Sequence, residues 1–134
     1  MNMINIGGNN NSSLTAIQPG DVQPNAVDLR LDKIFWIAAN EFLIDETQKK
    51  HRGSVAIKVD DDGYYRLEPG HYEVIMENQI SVGEGEAGFV ITRSTLNRNG
   101  VFLTSGLYDT GYEGVMAGVM HVSIGPMKIK PGTR

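Results

Sequence analysis

The chain has 134 residues, 40% of them hydrophobic and 21% charged, which is the size of one domain and too short for two well-packed cores. Its 12 Lys and Arg against 16 Asp and Glu leave a formal net charge of −4, a field that repels nucleic acid and anionic membrane, so any phosphate must be held by a few local cations. With no cysteine there is no disulfide, thiol nucleophile or thiolate metal site; His51, His71 and His121 fall on separate segments, which argues against a zinc enzyme.

Residues 1 to 13, MNMINIGGNNNSS, are small and polar and read as a flexible Asn- and Gly-rich arm, followed by a single β domain over 14 to 134. This start lacks the basic and apolar regions of a signal peptide, and no apolar run approaches the roughly 18 to 20 residues of a membrane span, so the expectation is a soluble, cytoplasmic protein. From Gln18 onward, Pro19-Gly20, Pro24, Asp62-Gly63, Pro69-Gly70, Asn99-Gly100, Gly125-Pro126 and Pro131-Gly132 cut the chain into short pieces that favour strands. In QPNAVDLRL, alternation sends Val27, Leu29 and Leu31 one way and Asp28 and Arg30 the other, where the two charges could pair. Phe35 to Ile44 reads as one helix or as an extended strand pair. Val55, Ile57 and Val59 alternate with Ala56 and Lys58 and predict a strand, and Asp60, Asp61 and Asp62 before Gly63 predict a solvated hairpin turn, since they lack the ligand spacing of a calcium loop. Tyr72, Val74 and Met76 alternate with His71, Glu73 and Ile75, and Val115 to Val122 reads as another strand. Thr92 to Arg98 is long enough for at most two helical turns. The sum is an all-β jelly roll or barrel with little helix.

The stretch TRSTLNRNGVFLTSGLYDTGYEG, Thr92 to Gly114, concentrates two Arg, several hydroxyls, two Tyr and two carboxylates between glycine-marked turns. A helical turn here would present Arg93, Ser94, Thr95 and Arg98 to one anion, for which a phosphate ester is suited; alternatively Ser94 and Thr95 only cap the turn and the arginines are solvated. Asp109 could orient a water at the mouth of a pocket, or could accept hydrogen bonds from its own turn. Tyr112 could lie against a sugar or base, or simply pack. His121 follows this stretch and could face a ligand, or remain a neutral packing residue. Neither a GxSxG nucleophile elbow nor a P-loop is present.

The strings QPNAVDLRL, LEPGHYEV, GFVITRSTLNRNG, GLYDTGYEG and GPMKIKPGTR, in this order from Gln23 to Arg134, resemble the dCTP deaminase and dUTPase superfamily, closest in wording to the deaminase branch. The resemblance implies a distorted β jelly roll that assembles as a homotrimer, with active sites built between subunits and a deoxynucleoside triphosphate as ligand. By position it assigns Arg93, Ser94 and Arg98 to the phosphates, Asp28 to the metal-associated aspartate of the first motif, and Asp109 to the carboxylate that activates water. Ser105, Gly106 and Tyr112 fall at the nucleoside. Mg²⁺ would ride on the triphosphate.

The departures separate the branches. The glutamate that carries the proton in deaminases falls here at Val119, and no Asp or Glu follows Glu113, which disfavours deamination unless His121 substitutes. The segment between Arg93 and Asp109 is shorter than the family pattern, and the chain stops at KPGTR where family members continue into an arm over the nucleotide. The leading expectation is a dUTP diphosphatase. The alternatives are a non-catalytic trimeric structural or regulatory protein of this fold, such as a phage-type particle component held by its N-terminal arm to other structural proteins, and a dCTP deaminase.

Overall fold

The computed structural model describes the backbone of Asn2–Ile4 and residues 10–134 in full. In chain order the strands are β1 (Asn2–Ile4), β2 (Ser13–Leu14), β3 (Ala26–Asp28), β4 (Leu31–Ile37), β5 (Leu43–Ile44), β6 (Lys49–Lys50) and β7 (Ser54–Ala56). They continue as β8 (Tyr65–Leu67), β9 (Gly70–Ser81), β10 (Val90–Ile91), β11 (Val101–Thr104), β12 (Glu113–Val122) and β13 (Met127–Ile129). One helical turn, α1 (Ser94–Asn97), lies between β10 and β11.

The longest strand organises the rest. Period-two alternation along β9 buries Tyr72, Val74 and Met76 completely and turns His71, Glu73 and Ile75 to the other face. β12 and β4 flank it, both antiparallel, and the main sheet runs β11-β12-β9-β4-β7 with β2 also on β9. Smaller sheets, β10-β1-β3, β13-β8 and β5-β6, complete the described architecture, which is all-β with an open strand path and no closed barrel. One hydrophobic cluster draws Leu29, Leu31, Ile34, Leu67, Met116, Met120 and Ile129 against the inner face of β9. Each such side chain contributes on the order of 1.5–3 kcal/mol by leaving water. The buried amide of Asn78 is satisfied within this core: its Oδ1 accepts from the Arg30 N–H at 2.9 Å and its Nδ2 donates to the Thr15 carbonyl at 2.9 Å.

Several sequence expectations change in the folded chain. Phe35 to Ile44 holds no helix: β4 ends at Ile37, and β5 pairs with β6 instead of with β4. The strand expected over Val55 to Val59 is confined to β7, and Val55 and Val59 are exposed because β7 is an edge strand with no layer over that face. The expected pairing of Asp28 with Arg30 remains as an electrostatic interaction, while the Arg30 fork is taken by Asp21 and Asp28 also lies between further guanidiniums described below. Residues 1 and 5–9 of the expected N-terminal arm lie outside the described residues; Asn2–Ile4 pairs with β3 and β10, and Asn11 and Ser12 bond Glu86. The triple-aspartate turn forms as read, with Gly63 N–H donating to the Asp60 carbonyl and Lys128 paired with Asp62. Among the described residues no helix is long and apolar enough to cross a membrane.

Candidate functional site

Three of the motif strings meet at a cluster of two aspartates and three arginines. Asp21, fully buried, receives both forks of Arg30: Nε donates to Oδ2 at 2.9 Å and Nη2 to Oδ1 at 2.7 Å. That charged hydrogen bond from Arg30 is the largest influence on the Asp21 carboxyl and holds it below the ordinary value of 3.8 against the opposing cost of burial. Asp28, 1% exposed, lies between two further guanidiniums, with Arg93 Nε 3.8 Å from its Oδ1 and Arg134 Nη1 3.7 Å from its Oδ2. The KPGTR segment is laced onto the same cluster. Arg30 Nη1 donates to the Gly132 carbonyl, Arg93 Nη1 to the Arg134 carbonyl and Arg134 Nη1 to the Gly20 carbonyl.

Arg93 therefore enters α1 as its N-cap already anchored from behind. Neither Ser94 nor Thr95 caps the turn, which carries no side-chain cap hydrogen bond. Among the described residues the hydroxyls of Ser94 and Thr95 and the guanidinium of Arg98 take part in no hydrogen bond or ion pair, and all three residues are exposed. The turn thus offers two hydroxyls and a guanidinium that the fold itself does not use.

The second half of the site is the loop after β11. Ser105 Oγ accepts from the Val90 N–H at 2.9 Å and donates to the Gly106 carbonyl at 3.0 Å, so its hydroxyl is spent on fixing the loop. Tyr108 exchanges both backbone bonds with Gly88, and its hydroxyl sits on Ala117, accepting from the N–H and donating to the carbonyl at 2.8 Å each. Burial pushes the Tyr108 phenol above its ordinary value. Thr110 Oγ1 donates to the Glu86 carbonyl, and Gly111, at φ +87°, donates its N–H to the Val82 carbonyl. That left-handed conformation is why a glycine stands there. The Asp109 carboxylate is exposed and, among the described residues, makes no hydrogen bond; only its backbone carbonyl is used, by the Tyr112 N–H. Tyr112 is 40% exposed, its ring 5.2 Å from that of Tyr108.

Within one chain, among the described residues, no hydrogen bond or ion pair joins Asp109 or Tyr112 to Arg93, Ser94 or Arg98. The structure brings Asp28 and Arg93 together and ties Ser105, through the Val90 N–H, to the strand β10 that leads to Arg93. Asp21, Arg134 and Tyr108 escaped the sequence reading. Asp21 follows Pro19-Gly20 and looks like an ordinary turn residue; only its pairing in the folded chain with Arg30, nine residues on, reveals it. His121 also finds an unexpected partner, with its Nδ1 2.8 Å from Nδ1 of His71 and its Nε2 2.9 Å from the Thr104 hydroxyl.

A profile of dCTP deaminase-like proteins matches residues 7–134. The chain belongs to the dCTP deaminase-like family. It is 30% identical over 128 residues to a dUMP-forming dCTP deaminase of Salinispora tropica, covering 91% of this chain and 67% of that protein. It is 35% identical over 101 residues to a deoxyuridine 5′-triphosphate nucleotidohydrolase of Methanocaldococcus jannaschii, covering 73% of this chain and 64% of the relative. The crystal structure of a 2′-deoxycytidine 5′-triphosphate deaminase from Agrobacterium tumefaciens superposes with a TM-score of 0.68 at 18% identity, over 92% of this chain and 41% of that one, and establishes the shared fold. This dCTP deaminase-like chain thus spans about two thirds of the length of these curated relatives. The relatives carry two names, one for deamination and one for hydrolysis of a triphosphate.

Proposed function

We propose that this dCTP deaminase-like protein binds a deoxynucleoside triphosphate and hydrolyses dUTP to dUMP and pyrophosphate. The observation that carries the reading is the set of unspent groups: Ser94, Thr95 and Arg98 beside an anchored Arg93, and an Asp109 carboxylate that no part of the fold uses. Groups left exposed on backbone pinned by hydrogen bonds are positioned for a ligand.

In this reading Arg93, Ser94 and Arg98 hold the phosphates, and the backbone of Ser105 and Gly106, fixed by the Ser105 hydroxyl, together with the Tyr112 ring holds the nucleoside. Asp109 takes a proton from water, the hydroxide formed attacks the α-phosphorus, and the bond to the bridging oxygen breaks to release pyrophosphate. General-base assistance of this kind contributes about 10²–10⁴-fold. Among the described residues no group of three or more His, Asp or Glu side chains is placed to hold a metal ion alone, which suits an ion arriving with the triphosphate. Mg²⁺ so bound would neutralise charge on the leaving pyrophosphate, with Asp28 the carboxylate nearest the phosphate-binding Arg93. The phosphate-binding turn and Asp109, which share no hydrogen bond or ion pair within one chain among the described residues, would meet across subunits of a homotrimer.

Deamination is the weaker reading, because Val119 stands on β12 where the resemblance asks for a glutamate. The test is incubation of the purified protein with dUTP, dCTP and dTTP plus Mg²⁺ and chromatographic identification of products. dUMP and pyrophosphate from dUTP alone support the proposal. dUTP or dUMP appearing from dCTP would replace it with deamination, and three unchanged nucleotides would leave the fold as a scaffold.

A further inference from the structure

The outer face of the main sheet carries a pair of imidazoles that the proposed hydrolysis does not use. His71 on β9 and His121 on β12 are directly opposed in the antiparallel register, and Phe102 on β11 stands opposite His121 on its other side. Their Nδ1 atoms are 2.8 Å apart, so one ring donates its N–H to the lone pair of the other. His121 is fixed on both remaining sides. Its ring stacks on Phe102 with centroids 4.6 Å apart and planes 19° from parallel, and its Nε2 lies 2.9 Å from the Thr104 hydroxyl. When Nε2 carries the hydrogen and donates to Thr104, the Nδ1 lone pair is free toward His71. That is the arrangement found behind metal-bound histidines, where a second hydrogen bond sets the tautomer and the ring orientation.

We propose that His71 and His121 chelate a divalent transition cation through their two Nδ1 atoms, with water completing the coordination and Thr104 as the positioning residue. Ligand chemistry selects the ion: imidazole nitrogens suit Cu²⁺ and Ni²⁺, affinity for such a site rises toward Cu²⁺ and falls again at Zn²⁺, and two adjacent nitrogens leave the remaining positions of a tetragonal ion to water. Binding replaces the shared N–H: the hydrogen between the rings moves to the exposed Nε2 of His71, the exposed His71 ring swings to make room for the ion between the two Nδ1 atoms while His121 keeps its Phe102 and Thr104 contacts, and neither ring changes charge. His71 is exposed, which gives the ion its way in. Glu73 lies on the same face, two residues from His71 and opposite Val119, and adds negative charge beside the pair; Arg52 shares a shallow depression with His71 and opposes it.

The test is titration of Cu²⁺ into the full chain at pH 7.5, read by calorimetry and by electron paramagnetic resonance, and it needs no nucleotide. The proposal expects one ion per chain with hyperfine structure from two equivalent nitrogens, preferred over Zn²⁺. His71→Ala and His121→Ala should each lower affinity at least 100-fold, and Thr104→Val about 10-fold, with the two-nitrogen signal kept. His71 is exposed, so His71→Ala should fold as the parent does, and circular dichroism checks it. Wild-type affinity in His71→Ala, a signal from fewer than two nitrogens in the parent, or preference for Zn²⁺ would each overturn the assignment.

Discussion

The proposed phosphate half and the proposed nucleoside half of the candidate site are built on opposite principles. Around Asp21 and Asp28 nearly every charged atom is spent inside the protein: Arg30 forks onto Asp21, Arg93 and Arg134 bracket Asp28, and three backbone carbonyls absorb further guanidinium hydrogens. Around Asp109 the backbone is tied down at Gly88, Glu86 and Val82, while the carboxylate itself stands free. Side-chain ion pairs fix one half and backbone bonds fix the other. A substitution among the paired charges of the first should therefore disturb folding, and one at the free Asp109 carboxylate of the second should disturb chemistry alone.

The largest effect should come from Asp109→Asn, which keeps the turn and removes the base. Turnover of dUTP should fall by about 10²–10⁴-fold with the melting temperature unchanged, measured by pyrophosphate release and thermal scanning. Arg98→Ala should weaken triphosphate binding by about 1.5–3 kcal/mol, seen by calorimetry with a non-hydrolysable analogue, again without loss of stability, because the guanidinium holds nothing in the fold. Asp21→Asn should do the reverse, lowering the melting temperature by about 5–10 °C through its effect on the buried pair. Its pH dependence carries a sign. A carboxyl held below 3.8 in the folded state contributes stability above that value and loses it as the pH falls further, so the gap between Asp21→Asn and the parent should close below about pH 4. The smallest effect belongs to Tyr108→Phe, which leaves the Ala117 N–H without its partner and should cost about 1–2 kcal/mol in denaturant unfolding.

The same division explains what could be read from the sequence. β9 and β12 announce themselves because burial on one face forces a period of two, and Tyr72, Val74 and Met76 obey it. β7 misleads because an edge strand keeps the alternation without the burial. In the site, RSTLNR and DTGYEG are local strings whose chemistry is visible residue by residue. The Asp21–Arg30 and Asp28–Arg93 pairings are not, because each depends on chain segments that meet only after folding, and a local rule naturally pairs Asp28 with its neighbour Arg30. The His71–His121 contact is hidden for the same reason: 50 residues separate two histidines that the register of β9 and β12 places side by side.

The central claim is that the two halves serve one site completed between copies of the chain. It is tested most directly by co-assembling Asp109→Asn and Arg98→Ala chains and assaying dUTP hydrolysis. With the halves on different subunits, random mixing rebuilds an intact site in about a quarter of cases, so the mixture should recover about a quarter of the wild-type rate from two impaired parents. A mixture no more active than the average of its parents, beside a wild type that turns over normally, would contradict the account.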